Sequence, residues 1–102
     1  RILAAMPYGV ASHDPESPRF DGQRYWRGPV WGIMNMLIAL GLYEQGHKDD
    51  ARHIRTMTRE LITRHGFAEY FDPRDGTPKG GQFFTWTAAI WLGWASPNAG
   101  EF

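Results

Sequence analysis

Three stretches of this chain carry helical patterning, and they differ in how their apolar residues are arranged. The first is expected over residues 29–45. Val30, Trp31, Ile33, Met34, Met36, Leu37, Ile38, Ala39, Leu40 and Leu42 wrap the whole cylinder. A helix that is apolar all round must be buried on all sides. Pro29 suits the first helical position, where a missing N–H costs nothing. Gly46 suits the position just past the end. The second stretch, Lys48–His65, is one-sided. Ala51, Ile54, Met57 or Thr58, Leu61 and Ile62 recur at helical spacing, while Arg52, Arg55, Arg59, Glu60 and Thr63 fill the other face. This predicts a surface helix, with Glu60 and Arg64 as a favourable i, i+4 pair and Gly66 as its stop. The third stretch is expected over residues 85–94, with Thr85 as N-cap. Trp86, Ala88, Ala89, Ile90, Trp91, Leu92 and Trp94 leave it little polar surface.

The order is therefore buried helix, surface helix, buried helix, and the remaining segments read as loops. Such alternation suits a toroid of helical hairpins, with an inner ring lining the axis and an outer ring facing water. Residues 7–23 are heavily punctuated by Pro and Gly. Residues 66–84 form a long connection, and a loop of that length in a compact region is functional or disordered. Phe67, Tyr70, Phe71, Phe83 and Phe84 argue against disorder. Two helices that are apolar all round and one amphipathic helix cannot cover each other. Partner helices are expected, from a longer parent chain or an oligomer, since soluble monomers rarely expose large apolar patches.

Composition narrows the choices. The chain has 102 residues and zero formal net charge. Zero charge argues against nucleic-acid and anionic-membrane partners, which need a basic surplus. Cysteine is absent, which removes disulfides, thiolate nucleophiles and cysteine-based zinc sites. The longest apolar stretch, residues 30–43, falls short of the ~20 residues that a membrane span needs. No leader pattern is read in residues 1–10, and the compartment stays open, with the cytoplasm favoured over secretion. His13, His47, His53 and His65 show no metal-binding spacing. No G-x-S-x-G elbow or phosphate-binding loop is present, and no cofactor or metal is expected. The aromatic fraction is high, 15%, with five Trp.

Those aromatics fall in three clusters that could carry chemistry. The first is Tyr25-Trp26-Arg27-Gly28-Pro29-Val30-Trp31. Trp rings stack on the C–H faces of sugars, and Arg27 offers rigid donors for hydroxyl or carboxylate oxygens. Asn35 lies one helical turn beyond Trp31. The plainer reading makes Trp26 and Trp31 core aromatics and Arg27 a surface charge. Yet a cation at a helix N-terminus is disfavoured by the dipole, so the two readings stay level. The second cluster is Gly66-Phe67-Ala68-Glu69-Tyr70-Phe71-Asp72-Pro73. A carboxylate among aromatics is drawn partly out of water, a setting suited to general base or acid work. By itself Glu69 reads more simply as a solvated loop carboxylate or a salt-bridge partner, as most loop glutamates are. Asp72 reads as a turn former with Asp75 and Gly76. The third cluster is Phe83-Phe84-Thr85-Trp86-Thr87-Ala88-Ala89, with Gln82 before it. Most of it suits a packed inner helix, while Trp86 and Gln82 are candidates to meet a ligand.

In order and spacing, these clusters resemble glycoside hydrolase family 63, which includes processing α-glucosidase I, bacterial α-glucosidases, and mannosylglycerate and glucosylglycerate hydrolases. The matching text is Pro7-Tyr8-Gly9-Val10-Ala11-Ser12, the Tyr25 to Trp31 block with Asn35, Glu69-Tyr70-Phe71-Asp72-Pro73 with Gly76, and Phe84-Thr85-Trp86-Thr87-Ala88-Ala89. It covers nearly the whole chain, from Pro7 to Trp94. The resemblance implies an all-α fold, residues 1–102 being a C-terminal portion of an (α/α)6 toroid with about three helices and long loops. It implies an inverting hydrolase of α-glucosidic or α-mannosidic bonds, acting on a carbohydrate. Glu69 matches the general base, and the general acid is an Asp upstream of this chain. Trp26, Arg27, Trp31, Asn35, Tyr70, Gln82 and Trp86 match or adjoin positions expected to shape the sugar pocket. The chain departs from the family's pattern in lacking the upstream toroid and in having Thr85 where Ser is common. Competing expectations are a trehalase-like hydrolase of the same architecture and a non-catalytic carbohydrate-binding or assembly fragment.

Overall fold

The computed structural model describes residues 7–100 and Phe102. The reading of a missing leader falls largely on residues 1–6, which lie outside the described residues. Helix α1 spans Gly32–Glu44, α2 spans Lys48–His65, and α3 spans Thr85–Ile90. A π-helical turn, Trp91–Ala95, and a 3-10 turn, Pro97–Ala99, follow α3. Between α2 and α3 the chain forms a short antiparallel ribbon, β1 Tyr70–Phe71 and β2 Pro78–Lys79, paired Tyr70 to Lys79 and Phe71 to Pro78. The all-α reading holds, and the ribbon is the addition that the loop assignment missed. Two-residue strands carry no alternation to read. No helix among the described residues is long and apolar enough to cross a membrane.

Helix α1 begins at Gly32, three residues later than expected from Pro29. Val30 exchanges both backbone hydrogen bonds with Phe71, at 2.8 and 2.9 Å, and that pairing needs extended backbone. Trp31 stays extended as well, and the helix turns only after it. The expected end is kept: Gly46 adopts φ +89°, and His47 N–H closes back on the Leu42 carbonyl at 2.8 Å.

Helix α2 has the expected bounds. Ala51, Ile54, Met57, Thr58, Leu61 and Ile62 are buried, matching the predicted stripe. Asp49 and Asp50 open the helix, and Arg64 and His65 close it, which suits the macrodipole at both ends. Glu60 and Arg64 pair at 2.9 Å. Gly66 takes φ +78° where the helix stops.

The two long helices form a hairpin around one polar brace. Asn35 is fully buried. Its Nδ2 donates to Thr58 Oγ1 at 3.0 Å, and its Oδ1 accepts from the Val10 N–H at 3.2 Å. The Thr58 hydroxyl then donates to the Ile54 carbonyl at 2.8 Å. Three parts of the chain are thereby joined: the entry loop, α1 and α2. A Cβ on Gly9 (φ +114°) would sit 2.5 Å from Asn35 Nδ2, so only glycine lets the loop come this close.

Helix α3 is shorter than expected, and Thr85 does not cap it. Phe84 is the N-cap and no side chain caps the helix. The threonine with a joining role is Thr87, whose buried hydroxyl donates to the Ala68 carbonyl at 2.6 Å. After Ile90 the ladder widens, Ser96 N–H reaching Trp91 O at 2.9 Å. The polar face of α2 holds this end in place: Arg55 Nε donates to Trp94 O at 2.7 Å, and Arg59 Nε to Ala95 O at 2.6 Å. These are carbonyls left without intrahelical partners where the helix ends.

The molecule is a slab, 38 × 31 × 17 Å. Its thin dimension allows about two packed helices. The outward side of α1 is therefore uncovered, with Met34, Leu37 and Leu40 all exposed, as are Trp86 and Leu92 beyond it. This is the exposed apolar surface that the all-round patterning predicted.

Asn35→Ala is expected to lower unfolding free energy by about 1–3 kcal/mol, because the buried Thr58 Oγ1 loses its donor and the half-buried Val10 N–H loses its acceptor. Denaturant unfolding of the protein measures it. Thr58→Val should be less than additive with it, since both remove the same brace. Unchanged midpoints would contradict this role.

Candidate active site

The site is built on the pairing of Val30 with Phe71. Both residues are fully buried. Because they are locked together, their chain neighbours Trp31 and Tyr70 come face to face, with ring centroids 5.0 Å apart. Trp26 stacks on Trp31 at 4.1 Å and nearly parallel, 6° between planes. Tyr25 stands edge-on to all three rings, at 4.9–5.9 Å, each such pair contributing about 0.5–1.5 kcal/mol beyond buried area. Trp31 Nε1 donates to the Tyr25 carbonyl at 3.0 Å. Tyr25 has φ +42°, a conformation a bulky residue rarely holds without local constraint. Arg24 and Arg27 N–H donate to the Asp21 and Arg24 carbonyls, and Asp21 N–H donates to the Arg27 carbonyl. Together these tight turns supply that constraint.

The structure thus brings Trp26, Trp31 and Tyr70 into one aromatic stack and adds Tyr25, which was read only as part of its cluster. Trp31 is sealed inside it, 3% exposed, while Trp26 and Tyr25 are about half exposed, 46% and 51%. The faces open to a ring of C–H bonds are therefore those of Trp26 and Tyr25. Trp31 matches the core half of the even reading.

Glu69 lies one residue before Tyr70 and is anchored from several sides. Its N–H donates to the Gly81 carbonyl at 2.9 Å. Phe84 N–H holds the Phe67 carbonyl at 2.7 Å, and Thr87 holds that of Ala68. The Glu69 side chain is half-buried. Its Oε1 accepts the Gly81 N–H at 3.0 Å. Among the described residues, Oε2 accepts no hydrogen bond. One carboxylate oxygen is held while the other is open.

The other predicted site residues are placed differently. Arg27 is exposed, and its Nε and Nη2 both donate to the Arg19 carbonyl at 3.3 and 3.2 Å; this leaves part of the guanidinium fork for another acceptor. Asn35, expected in the sugar pocket, spends both carboxamide ends on the brace described above. It supports the stack's helix from beneath and is fully buried there. Gln82 is exposed beside a recess lined by His65, Phe67 and Phe83. Trp86 stands edge-on to Phe84 and lines an apolar hollow with Ile33, Met36 and Ile90.

Asp72 is the most constrained carboxylate. It is 1% exposed and meets Arg74 twice, Oδ1 with Nε at 2.9 Å and Oδ2 with Nη2 at 2.7 Å. Its backbone joins the turn expected of it, Gly76 N–H donating to the Asp72 carbonyl at 2.8 Å. Burial pushes its carboxyl upward, but hydrogen bonds and charge from Arg74, with help from Gln23, hold it below the usual carboxylate range. So fully engaged, Asp72 offers no oxygen to a substrate. Among the described residues, no group of three or more potential ligand side chains could hold a metal ion.

The family described as "Mannosylglycerate hydrolase MGH1-like glycoside hydrolase domain" matches residues 3–87 of the chain. Mannosylglycerate hydrolase MGH1 of Selaginella moellendorffii is 42% identical over 94 residues, 92% of this chain and 19% of that protein. The mannosylglycerate hydrolase of Thermus thermophilus is 42% identical over 87 residues, 85% of this chain and 21% of that protein. The crystal structure of a GH63 mannosylglycerate hydrolase from Thermus thermophilus in complex with glucose superposes with a TM-score of 0.88 at 40% identity, over 90% of this chain and 23% of that one. The chain spans about a fifth of the length of these mannosylglycerate hydrolases.

Asp72→Asn is expected to destabilise the protein by about 1–3 kcal/mol near neutral pH. A carboxyl held below its unfolded value stabilises the fold at pH above that value, about 3.9. That stabilisation is lost as pH falls toward the folded value. Melting temperatures of wild type and variant should therefore converge as pH drops from about 6 to 3. A gap that does not change with pH would show that the Asp72 charge contributes nothing.

Proposed function

Since the chain belongs to the mannosylglycerate hydrolase MGH1-like glycoside hydrolase family, we propose that it is the part of an inverting glycoside hydrolase that supplies the general base, Glu69. The bond cleaved is α-mannosidic or α-glucosidic, and the substrate is a glycosylglycerate of the kind named for its relatives. The observation that carries this reading is the Glu69 carboxylate, with Oε1 tied to the Gly81 N–H and Oε2 open.

Inversion needs one carboxylate to activate a water on one face of the anomeric carbon and an acid on the other. The two carboxyls stand roughly 6.5–9.5 Å apart, leaving room for that water. A base fixed through one oxygen aims the other at the water without losing side-chain freedom at the moment of reaction. The water's proton passes to Glu69 Oε2 as its oxygen bonds to the anomeric carbon. The leaving oxygen takes its proton from the acid, an Asp that the family resemblance puts upstream of this chain. The half-exposed faces of Trp26 and Tyr25 suit the apolar face of a sugar ring. The three remaining N–H donors of Arg27 suit hydroxyl or carboxylate oxygens.

Glu69→Gln preserves the shape and can still accept the Gly81 N–H. In the whole enzyme it is expected to lower kcat on mannosylglycerate by about 10²–10⁴-fold, with KM little changed. Near-normal turnover would overturn the assignment. NMR of the first-released sugar should show the β-anomer from an α-linked substrate; the α-anomer would exclude inversion. The 102-residue chain alone is expected to hydrolyse neither mannosylglycerate nor an aryl α-glycoside, because it lacks the acid. Turnover at the whole enzyme's rate would show that a second carboxyl lies within it.

A further inference from the structure

Gly80 has no side chain, and the space beside its Cα is filled by Glu69 and Tyr70. A Cβ there would lie 2.5 Å from Glu69 Oε1, 2.8 Å from Glu69 Cβ and 2.7 Å from Tyr70 Cε1. These approaches are too close for real atoms, and rotating the carboxylate relieves only the first. Gly80 has φ +74°, so its backbone also favours glycine. The next residue, Gly81, exchanges two hydrogen bonds with Glu69: its carbonyl takes the Glu69 N–H and its own N–H holds Oε1. A Cβ on Gly81 would stand 3.8 Å from Oε1, an ordinary contact. The demand for a missing side chain therefore falls on residue 80.

We propose that Gly80 is a positioning residue for the reaction, its empty Cβ site being what lets the Glu69 carboxylate lie against the Gly81 N–H with Tyr70 in the aromatic stack. This rests on Glu69 being the general base. Any side chain at position 80 pushes the Glu69 side chain off the Gly81 amide and moves Oε2 from its aim. The attacking water is lost, while the half-exposed rings of Trp26 and Tyr25 are not among the atoms nearest that Cβ, so kcat falls far more than KM rises.

Gly66 provides the matching control. It has φ +78° and a Cβ there would meet nothing within 4 Å. Gly66→Ala therefore puts a side chain on another positive-φ backbone with no contact at Glu69. Gly80→Ala, Gly80→Asn and Gly66→Ala are compared in the whole enzyme on mannosylglycerate. Asn tolerates left-handed backbone better than Ala, so Gly80→Asn brings the same Cβ with less strain and guards against a folding failure. Both position-80 variants are expected to lose about 10–100-fold in kcat with KM within threefold, the scale of a misplacement of about 1 Å. Gly66→Ala is expected to keep kcat within twofold. Crystal structures of the position-80 variants should show Glu69 Oε1 beyond hydrogen-bond distance of the Gly81 N–H. The proposal is overturned if a folded position-80 variant keeps kcat within twofold of wild type, if Gly66→Ala loses as much, or if Oε1 stays at about 3 Å. Glu69→Gln run alongside separates the premises. If it turns over normally, the base assignment fails; if it is inactive while Gly80→Asn is active, only the role of Gly80 fails.

Discussion

Two backbone hydrogen bonds between Val30 and Phe71 set the geometry that everything else in this segment follows. They join residues 41 apart in sequence, at the foot of α1 and in the first third of the long connection after α2. Both partners are fully buried, Val30 and Phe71 each at 0% exposure, so the bonds are shielded from water and the segments cannot slide. Strand pairing makes side chains alternate in direction. With Val30 and Phe71 turned into the core, Trp31 and Tyr70 are turned toward each other. The aromatic stack and the position of Glu69 come from that one register. The same bridge delays α1 to Gly32, because a residue in extended pairing cannot also be helical.

The helical hairpin supplies the rigid floor. Its interior is apolar except for the Asn35 and Thr58 pair, and a buried polar pair is tolerable only when every member finds partners. Here Asn35 finds Thr58 and Val10, and Thr58 finds the Ile54 carbonyl. Arg55 and Arg59 of α2, read as part of a solvated face, instead hold the carbonyls of Trp94 and Ala95. Their donors satisfy a helix end that would otherwise lack partners. The outward face of α1 stays apolar and open, as expected of a segment that spans about a fifth of its relatives' length.

Above this floor two carboxylates three residues apart do different things. Asp72 is buried and fully paired with Arg74, a structural anchor for the turn. Glu69 is half-buried with one oxygen engaged. The difference comes from their neighbours: Arg74 folds back onto Asp72, whereas Glu69 meets glycines that offer an amide and no side chain. A base benefits from such an arrangement, since it is held in place without being neutralised by a fixed cation.

The helices were legible in the residues because periodicity reports burial directly. The bounds of α2, its buried stripe and the stops at Gly46 and Gly66 follow from spacing and from glycine's tolerance of positive φ. The excess apolar surface of α1 was legible too, as was the aromatic character of the connection after α2. Other features depended on contacts between distant segments, which local pattern does not encode. The late start of α1, the two-residue ribbon, the bracing of Thr58 and Val10 by Asn35, and the role of Thr87 in place of Thr85 all arise from contacts with distant parts of the chain. Gly80 is the clearest case. In sequence it is half of a flexible pair; in space it is the gap into which Glu69 and Tyr70 fit. A missing side chain has meaning only through what occupies its place, and that is decided by the tertiary fold.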